Sequence, residues 1–292
     1  MAQRPVPVFI LCTMRSYSSL ISTMLGQHPE LCGLPEINLS VADDIAGVLA
    51  FYRRRSHGLH GLLRVIAQAQ SGAQTDPTIA DATAWLEARR TWSTARMIGW
   101  IQEQLAPRRI VDKSPVAVRS VDMMQRLLGM CPDAQFLHIV RQPAAVCRSI
   151  NTLHEAIDAQ NNSALRTRVD AEKVWASGNA NILAFKESLA PGVCLTLQGE
   201  LFLADFATYA PQVCDWLGIS SGADALAAML HPEASPYACL GPPSARYGND
   251  PNFLEHPAFA PRAITIENVE DGVDGKPFDP ATRKLARVLG YA

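Results

Sequence analysis

The hydrophobic pattern of the chain alternates short apolar runs with longer stretches of helical periodicity. Short, partly β-branched runs bounded by polar or turn residues are typical of strands that are covered on both faces. Such runs predict buried strands at residues 6–11, 108–116, 135–140 and 192–197. Because helical stretches separate them, the pattern predicts an α/β fold with a central parallel sheet, right-handed crossovers and flanking helices.

Helical periodicity predicts the elements between and after these strands. Residues 40–105 carry no strand signal and are interpreted as a helical insertion beside the sheet, with a loop at 71–77. We expect this insertion to form the acceptor pocket. The chain becomes loop-rich after Gly218, and residues 235–262 are predicted to form a lid-like loop. The whole chain, 1–292, is interpreted as one domain. Further helices are predicted at 118–130, from 143 to at least 150, and at 164–189, 200–217 and 279–290.

The first stretch, residues 6–26, predicts an anion site. A strand leads through the polar loop 13–19 into a helix, and Gly26 is the predicted stop of that helix. Such a junction places backbone N–H groups and the positive end of a helix dipole at one point. The alternative is an ordinary connection whose serines only cap the helix. Side chains that would add hydrogen bonds to phosphate-type oxygens are Thr13, Arg15, Ser16, Ser18 and Ser19.

Cations stand at three predicted strand ends. Arg15 follows the first strand, Lys113 ends the second, and Arg141 follows the third. Open α/β sheets bind ligands at the carboxyl ends of their strands. One cation there is ordinary, but three in a chain of net charge −2 predict a polyanionic small molecule as ligand. Glu36 is close to the first loop in sequence, and from the residues alone a surface or capping carboxylate is the favoured interpretation.

Composition narrows the function classes. The net charge of −2 and the lack of a long Lys/Arg run argue against nucleic acid as a partner. No apolar stretch is long enough for a membrane span, and no His/Cys/carboxylate cluster has metal-ligand spacing. The seven cysteines are odd in number and lack a CxxC pair, so we interpret them as reduced thiols of a cytoplasmic protein.

Several segments together resemble the sulfotransferases that use 3′-phosphoadenosine 5′-phosphosulfate (PAPS). FILCTMRSYSSLISTMLG, from Phe9 to Gly26, resembles the loop and helix of that family that bind the 5′-phosphosulfate. QFLHIVRQPAAVCRSI, from Gln135 to Ile150, resembles its 3′-phosphate segment. VDKSP at 111–115 resembles a strand end of bacterial and Golgi-type members, and LTLQGELFLADF resembles the "YEDL" turn, with Glu200 at the Glu.

The resemblance implies a sulfotransferase fold of the P-loop NTPase-like type and gives roles to individual residues. Lys113 would neutralise the leaving phosphate, and Glu36 would be the general base, because tyrosyl-protein members also carry a Glu shortly after a His-Pro pair. Tyr17 stands where the family usually has glycine. PAPS would be the co-substrate, with no metal required. The implied donor-binding residues are Arg15, Ser16, Tyr17, Ser18, Ser19, Leu20, Arg141, Ser149 and, from the late loop, Arg246, with Arg15 also taking part in the transfer.

Two other functions stay open on the sequence. One is a small-molecule kinase related to P-loop enzymes, although the loop 13–19 contains neither the Lys nor the Gly of a Walker motif. The other is a non-catalytic nucleotide-binding protein, for which Tyr17 in the loop is the best argument. The acceptor is expected to be a small molecule or a carrier-bound chain, and the sequence predicts neither its identity nor the oligomeric state.

Overall fold

The computed structural model describes residues 5–161, 169–261 and 266–292. Its centre is a five-stranded sheet with the strand order β2-β3-β1-β4-β5. All four strand pairs are parallel, which confirms the predicted sheet. The strands are β1 (Val8–Leu11), β2 (Leu31–Gly33), β3 (Arg109–Lys113), β4 (Gln135–Val140) and β5 (Cys194–Gln198).

Helices cover both faces of the sheet. Side chains of successive strand residues point to opposite faces, and β1 shows this directly. Phe9 and Leu11 belong to one hydrophobic cluster, whereas Val8 and Ile10 belong to another. The chain therefore forms three layers. The helices are α1 (Ser18–Gly26), α2 (Ile45–Tyr52), α3 (His60–Ser71), α4 (Asp76–Glu87), α5 (Thr94–Leu105), α6 (Val121–Met130), α7 (Pro143–Asn161), α8 (Ala171–Glu187), α9 (Gly199–Ala204), α10 (Phe206–Leu217), α11 (Ala223–Met229), α12 (Pro251–Glu255) and α13 (Pro280–Val288).

Three of the described elements, β2, α11 and α12, were not predicted from the sequence. Strand β2 has only three residues, LCG, and lies between turn-forming residues that predicted a loop. It nevertheless pairs in parallel with β3 and forms one edge of the sheet. Helix α11 lies in the part of the chain after Gly218 that was predicted to be loop-rich. Residues 164–168, where the predicted helix 164–189 begins, lie outside the described residues.

Gly26 ends helix α1 as predicted, although it does not occupy the C′ position beyond the helix. It is the last residue of the helix, and Gln27 is the C-cap. A Cβ built on Gly26 would lie 2.3 Å from the backbone nitrogen of Gly33 in β2. Gly26 is therefore needed because the helix and the edge strand approach each other closely.

The predicted helical insertion forms four helices, and the predicted late loop contains short helical turns. Helices α2–α5 lie between β2 and β3 in the chain and pack most of their buried side chains into the cluster that contains Phe9 and Leu11. The late loop is more ordered than predicted, because it contains a 3-10 turn at Pro243–Ala245 and the short helix α12.

Candidate functional site

A cleft of about 870 Å³ opens at the carboxyl ends of the central strands. The chain places β2 and β3 on one side of β1 and then β4 and β5 on the other side. The cleft lies at this change of side, next to β1. Ligands of open α/β sheets bind at this position. Most of the predicted donor-binding residues line the cleft, namely Arg15, Ser16, Tyr17, Ser18, Ser19, Leu20, Arg141 and Ser149.

The loop between β1 and α1 has a backbone conformation that usually requires glycine. Arg15 has φ 66° and Tyr17 has φ 60°, both in the left-handed region. Non-glycine residues in this region cost on the order of 1–3 kcal/mol and are concentrated at functional sites. Tyr17 therefore keeps a glycine-type conformation although it carries a side chain. The loop is further held by a hydrogen bond of 3.0 Å between the Thr13 and Ser16 hydroxyls.

Arg15 connects the loop to two other parts of the cleft. Its Nε donates to Ser149 Oγ at 2.8 Å. Its Nη1 forms an ion pair with Asp250 Oδ2 of the late loop. The Arg15 side chain is only 11% exposed, so this pair lies in a partly dehydrated environment where charge interactions are stronger than in water.

Arg141 is fixed at the end of β4 by contacts on several sides. Its Nη1 donates to the Arg15 carbonyl at 2.8 Å, and its guanidinium carbon lies 4.0 Å from the centre of the Tyr17 ring. Its own carbonyl accepts a hydrogen bond of 2.8 Å from the Trp175 indole. Burial lowers the pKa of Arg141, while Tyr17 and Glu200 oppose this effect. Its buried Nε has no hydrogen-bond partner among the described residues, which leaves a donor for a ligand oxygen.

A buried carboxylate, Glu200, positions the turn that carries Arg141. Glu200 is 1% exposed. Its Oε1 accepts from the Gln142 backbone N–H at 2.8 Å, and its Oε2 accepts from the Tyr291 hydroxyl at 2.9 Å. Burial, together with the Glu200 charge, raises the pKa of Tyr291 and keeps that hydroxyl protonated as a donor. Glu200 thus links the first turn of α7 to the C-terminus of the chain.

Lys113 and Glu36 are not among the residues that line the cleft, and they pair with each other beside Ser19. The Lys113 side chain is 2% exposed, and its Nζ donates to Glu36 Oε1 at 2.7 Å and to Ser19 Oγ at 3.0 Å. The Glu36 side chain is 30% exposed, so its carboxylate is oriented by Lys113 and still accessible. The Glu36 backbone N–H donates to the Gly248 carbonyl at 2.7 Å. Glu36 is therefore joined, through Lys113 and Ser19, to the loop that follows β1.

The segment around Glu36 is anchored to the end of β3 by a buried polar cluster. Asp112 Oδ1 accepts from Ser114 Oγ at 2.9 Å and from the Ile37 backbone N–H at 3.3 Å. Ser114 Oγ in turn accepts from the Asn38 backbone N–H at 3.0 Å. Burial raises the pKa of Asp112 to about 7, although these hydrogen bonds and Lys113 oppose the shift. The DKSP sequence thus supplies both the cation and the anchor for Glu36.

Arg246 does not join the other predicted residues. It is exposed and follows the turn Pro243–Ala245, which is bound to the helical insertion because Ser244 donates to Asp76. The late loop instead brings Asp250 and Asn252 to the cleft. Sequence analysis missed Asp250, although an Asp directly before Pro251 is a helix-start signal that could have drawn attention to it.

Other residues of the cleft were also missed. Arg148, one helical turn before Thr152 on α7, forms an ion pair with Glu267. The Glu267 backbone N–H donates to Gln142 Oε1 at 2.8 Å, which holds the C-terminal segment against the start of α7. No sequence signal pointed to this pair, because the two residues are far apart in the chain, although Arg148 lies within the segment 135–150 that resembles the 3′-phosphate segment.

Two further features of the described residues bear on the function. No group of three or more His, Cys, Asp or Glu side chains within 5–161, 169–261 and 266–292 is arranged to hold a metal ion. In the same ranges, no helix combines the length and the apolar character that crossing a membrane requires.

Comparison with solved structures shows the fold. The sulfotransferase domain from the curacin biosynthetic pathway is 23% identical, with a TM-score of 0.77 over 100% of this chain and 99% of that one. The sulfotransferase domain from the Synechococcus PCC 7002 olefin synthase is 24% identical, with a TM-score of 0.76 and the same coverage. No curated protein sequence matches the chain significantly.

A match to a family model shows which protein family the chain belongs to. The model described as "Sulfotransferase family" matches residues 7–223. This range contains all five strands of the sheet and every cation that the sequence placed at a strand end. It also contains Glu36 and Ser149, and it ends before the late loop. The match covers well over half of the chain, which therefore belongs to the sulfotransferase family and is a transferase.

Proposed function

We propose that the protein transfers a sulfuryl group from PAPS to a hydroxyl or amine of a small-molecule or carrier-bound acceptor. The observation that supports this most is the convergence of Arg15 and Arg141 on one cleft, with Lys113 joined to them through Ser19. Three cations from three adjacent strand ends suit a ligand that carries both a 3′-phosphate and a 5′-phosphosulfate.

The two phosphate positions of the donor would be bound by different parts of the cleft. Arg141 and Ser149 would bind the 3′-phosphate, since both residues line the cleft and the buried Nε of Arg141 has no hydrogen-bond partner among the described residues. Charge-assisted hydrogen bonds of this type are shorter and stronger than neutral ones. The loop that follows β1 and the N-terminus of α1 would bind the 5′ end through Ser16, Ser18 and Ser19, with Tyr17 and Leu20 forming the wall. Arg246 is not included, because it lies outside the cleft.

The chemical step would be an in-line displacement at sulfur. The acceptor oxygen or nitrogen forms a bond to sulfur while the bond between sulfur and the 5′-phosphate oxygen breaks. The acceptor proton passes to Glu36, and the leaving 3′-phosphoadenosine 5′-phosphate takes the electron pair. Lys113 and Arg15 would stabilise the charge that develops on the leaving oxygen. Positioning and charge stabilisation provide most of the rate enhancement in comparable phosphoryl transfers.

Glu36 suits the role of general base because of its geometry. One carboxylate oxygen is held by Lys113 at 2.7 Å, while the side chain keeps 30% exposure toward an incoming acceptor. A base must lie within hydrogen-bond reach of the proton that it accepts, and such a group contributes about 10²–10⁴ to the rate.

Calorimetric titration tests the donor class. We would titrate 3′-phosphoadenosine 5′-phosphate, 5′-AMP and ATP separately into the protein without magnesium. The proposal expects micromolar binding that requires the 3′-phosphate. A magnesium-dependent preference for ATP would favour the kinase instead, which family membership already argues against. Binding without sulfuryl transfer to any acceptor would favour the non-catalytic protein.

The kind of acceptor is proposed from the similar solved structures, and the place of its pocket from the position of helices α2–α5. The similar structures are a domain from a biosynthetic pathway and a domain of a synthase, which favours a biosynthetic intermediate as the acceptor. Helices α2–α5 would shape its pocket, because the backbone of Glu36 packs closely against Gly61 at the start of α3. We further propose that the chain forms a single domain. A cytoplasmic location is proposed because all seven cysteines are free thiols.

A further inference from the structure

Asp250 brings a negative charge to the point where the transferred group would lie. Its carboxylate forms an ion pair with Nη1 of Arg15, and its backbone N–H donates to Ser19 Oγ at 3.1 Å. Its side chain is 26% exposed and lines the cleft. Asp250 lies beyond residue 223, where the match to the family model ends. The match to the family model therefore assigns no role to Asp250.

Two ion pairs are connected to the Ser19 hydroxyl, one through Lys113 Nζ and the other through the backbone N–H of Asp250. Lys113 Nζ donates to Ser19 Oγ at 3.0 Å and to Glu36 at 2.7 Å, so this lysine is already paired. Arg15 is paired with Asp250. The two cations and two carboxylates have a formal sum of zero. The 5′ end of the cleft is thus much less positive than the strand-end cations alone suggest.

The near-zero sum of these charges should allow the cleft to distinguish two donors that have the same shape but different terminal charges. A terminal sulfuryl group carries one negative charge, whereas a terminal phosphoryl group carries nearly two above its second pKa of about 6. A carboxylate within roughly 4–6 Å repels the extra charge by an energy that corresponds to a factor of about 10–100 in affinity. We propose that Asp250 is a specificity-determining residue that selects the monoanionic sulfuryl end and rejects a phosphoryl end. This inference rests on the proposed donor function.

Asparagine at position 250 removes the charge and keeps the structure. Asp250 is the N-cap of α12, where its Oδ1 accepts from the Asn252 backbone N–H at 3.0 Å. Asparagine and serine cap helices about as well as aspartate does. Asp250→Asn and Asp250→Ser therefore provide two neutral variants that retain the cap.

The test compares two donors that differ only in the terminal group. We would measure dissociation constants of PAPS and of 3′-phosphoadenosine 5′-diphosphate at pH 8 for the original protein and both neutral variants. The original protein should prefer PAPS. Asp250→Asn should reduce this preference about 10–100-fold, mainly because the diphosphate binds more tightly. Glu267→Gln is the matched control: it removes a carboxylate paired with another cleft arginine, Arg148, and should leave the ratio unchanged.

Several outcomes would overturn the inference. Equal tightening of both nucleotides would show that Asp250 competes with any anion and does not discriminate. An unchanged ratio in both neutral variants, with unfolding temperatures like that of the original protein, would remove Asp250 from donor selection. If neither nucleotide binds the original protein, the proposed donor is wrong and the inference falls with it. If both bind without discrimination, only the inference fails.

Discussion

Two regions of the chain meet around the cleft, and all three strand-end cations come from one of them. The N-terminal region supplies the cations Arg15, Lys113 and Arg141 from the ends of adjacent strands. The C-terminal region, after residue 223, supplies the carboxylates of Asp250 and Glu267 and the hydroxyl of Tyr291. Under the proposed function, the first region binds the donor, and the second adjusts the charge of the cleft and holds its turns in place. The predictions below test this division.

The largest effect is expected at the base. Glu36→Gln should reduce turnover by about 10²–10⁴, the usual contribution of an acid/base group, and should not weaken nucleotide binding, because it removes the carboxylate that pairs with Lys113. Steady-state rates and calorimetry would separate the two effects. Glu187→Gln, on the exposed surface of α8, is the control and should behave like the original protein. Full activity of Glu36→Gln would exclude Glu36 as the base.

The next largest effect is a difference in nucleotide affinity between variants of Arg141 and Arg246. Arg141→Ala should weaken binding of 3′-phosphoadenosine 5′-phosphate by about 2–5 kcal/mol, the range for losing a desolvated charge pair. Arg246→Ala should leave the affinity unchanged, because Arg246 is exposed and outside the cleft. Calorimetric titration of both variants measures the difference. If Arg246→Ala loses affinity and Arg141→Ala does not, the assignment of the cleft is wrong.

A pH effect is expected from Asp112 in the N-terminal region. Its folded-state pKa of about 7 lies well above the usual value of an aspartate side chain, so the folded protein binds this proton more tightly than the unfolded chain does. The resulting stabilisation is present below about pH 4 and is lost as the pH rises to about 7. Urea unfolding across this range should show the trend, and Asp112→Asn should flatten it. The same slope in both proteins would contradict the account.

The smallest effect tests the C-terminal support. Tyr291→Phe removes the hydrogen bond to the buried Glu200 carboxylate and should cost about 1–3 kcal/mol of unfolding free energy. Nucleotide affinity should fall slightly, because Glu200 holds the Gln142 backbone beside Arg141. Tyr247→Phe, at an exposed position, is the control. Equal stability of the two variants would show that the C-terminus does not support the site.

The sequence predicted the cations and the sheet because both follow from local rules. A buried strand has a recognisable apolar pattern, and the residue after it lies at a known edge of the sheet, so Arg15 and Arg141 could be placed together. β2 escaped prediction because three residues carry no periodicity. The pairing of Asp250 with Arg15 could not be predicted, because it depends on how a long loop packs across the cleft. Arg246 was chosen as a cation of the late loop, but in the structure it is exposed and does not line the cleft.

A crystal structure with 3′-phosphoadenosine 5′-phosphate tests the central claim most directly. The account predicts that the 3′-phosphate contacts Arg141 and Ser149, and that the 5′-phosphate lies at residues 15–19 beside Lys113. Density for the nucleotide outside this cleft, or with its 3′-phosphate away from Arg141, would contradict the claim that the strand-end cations form one donor site.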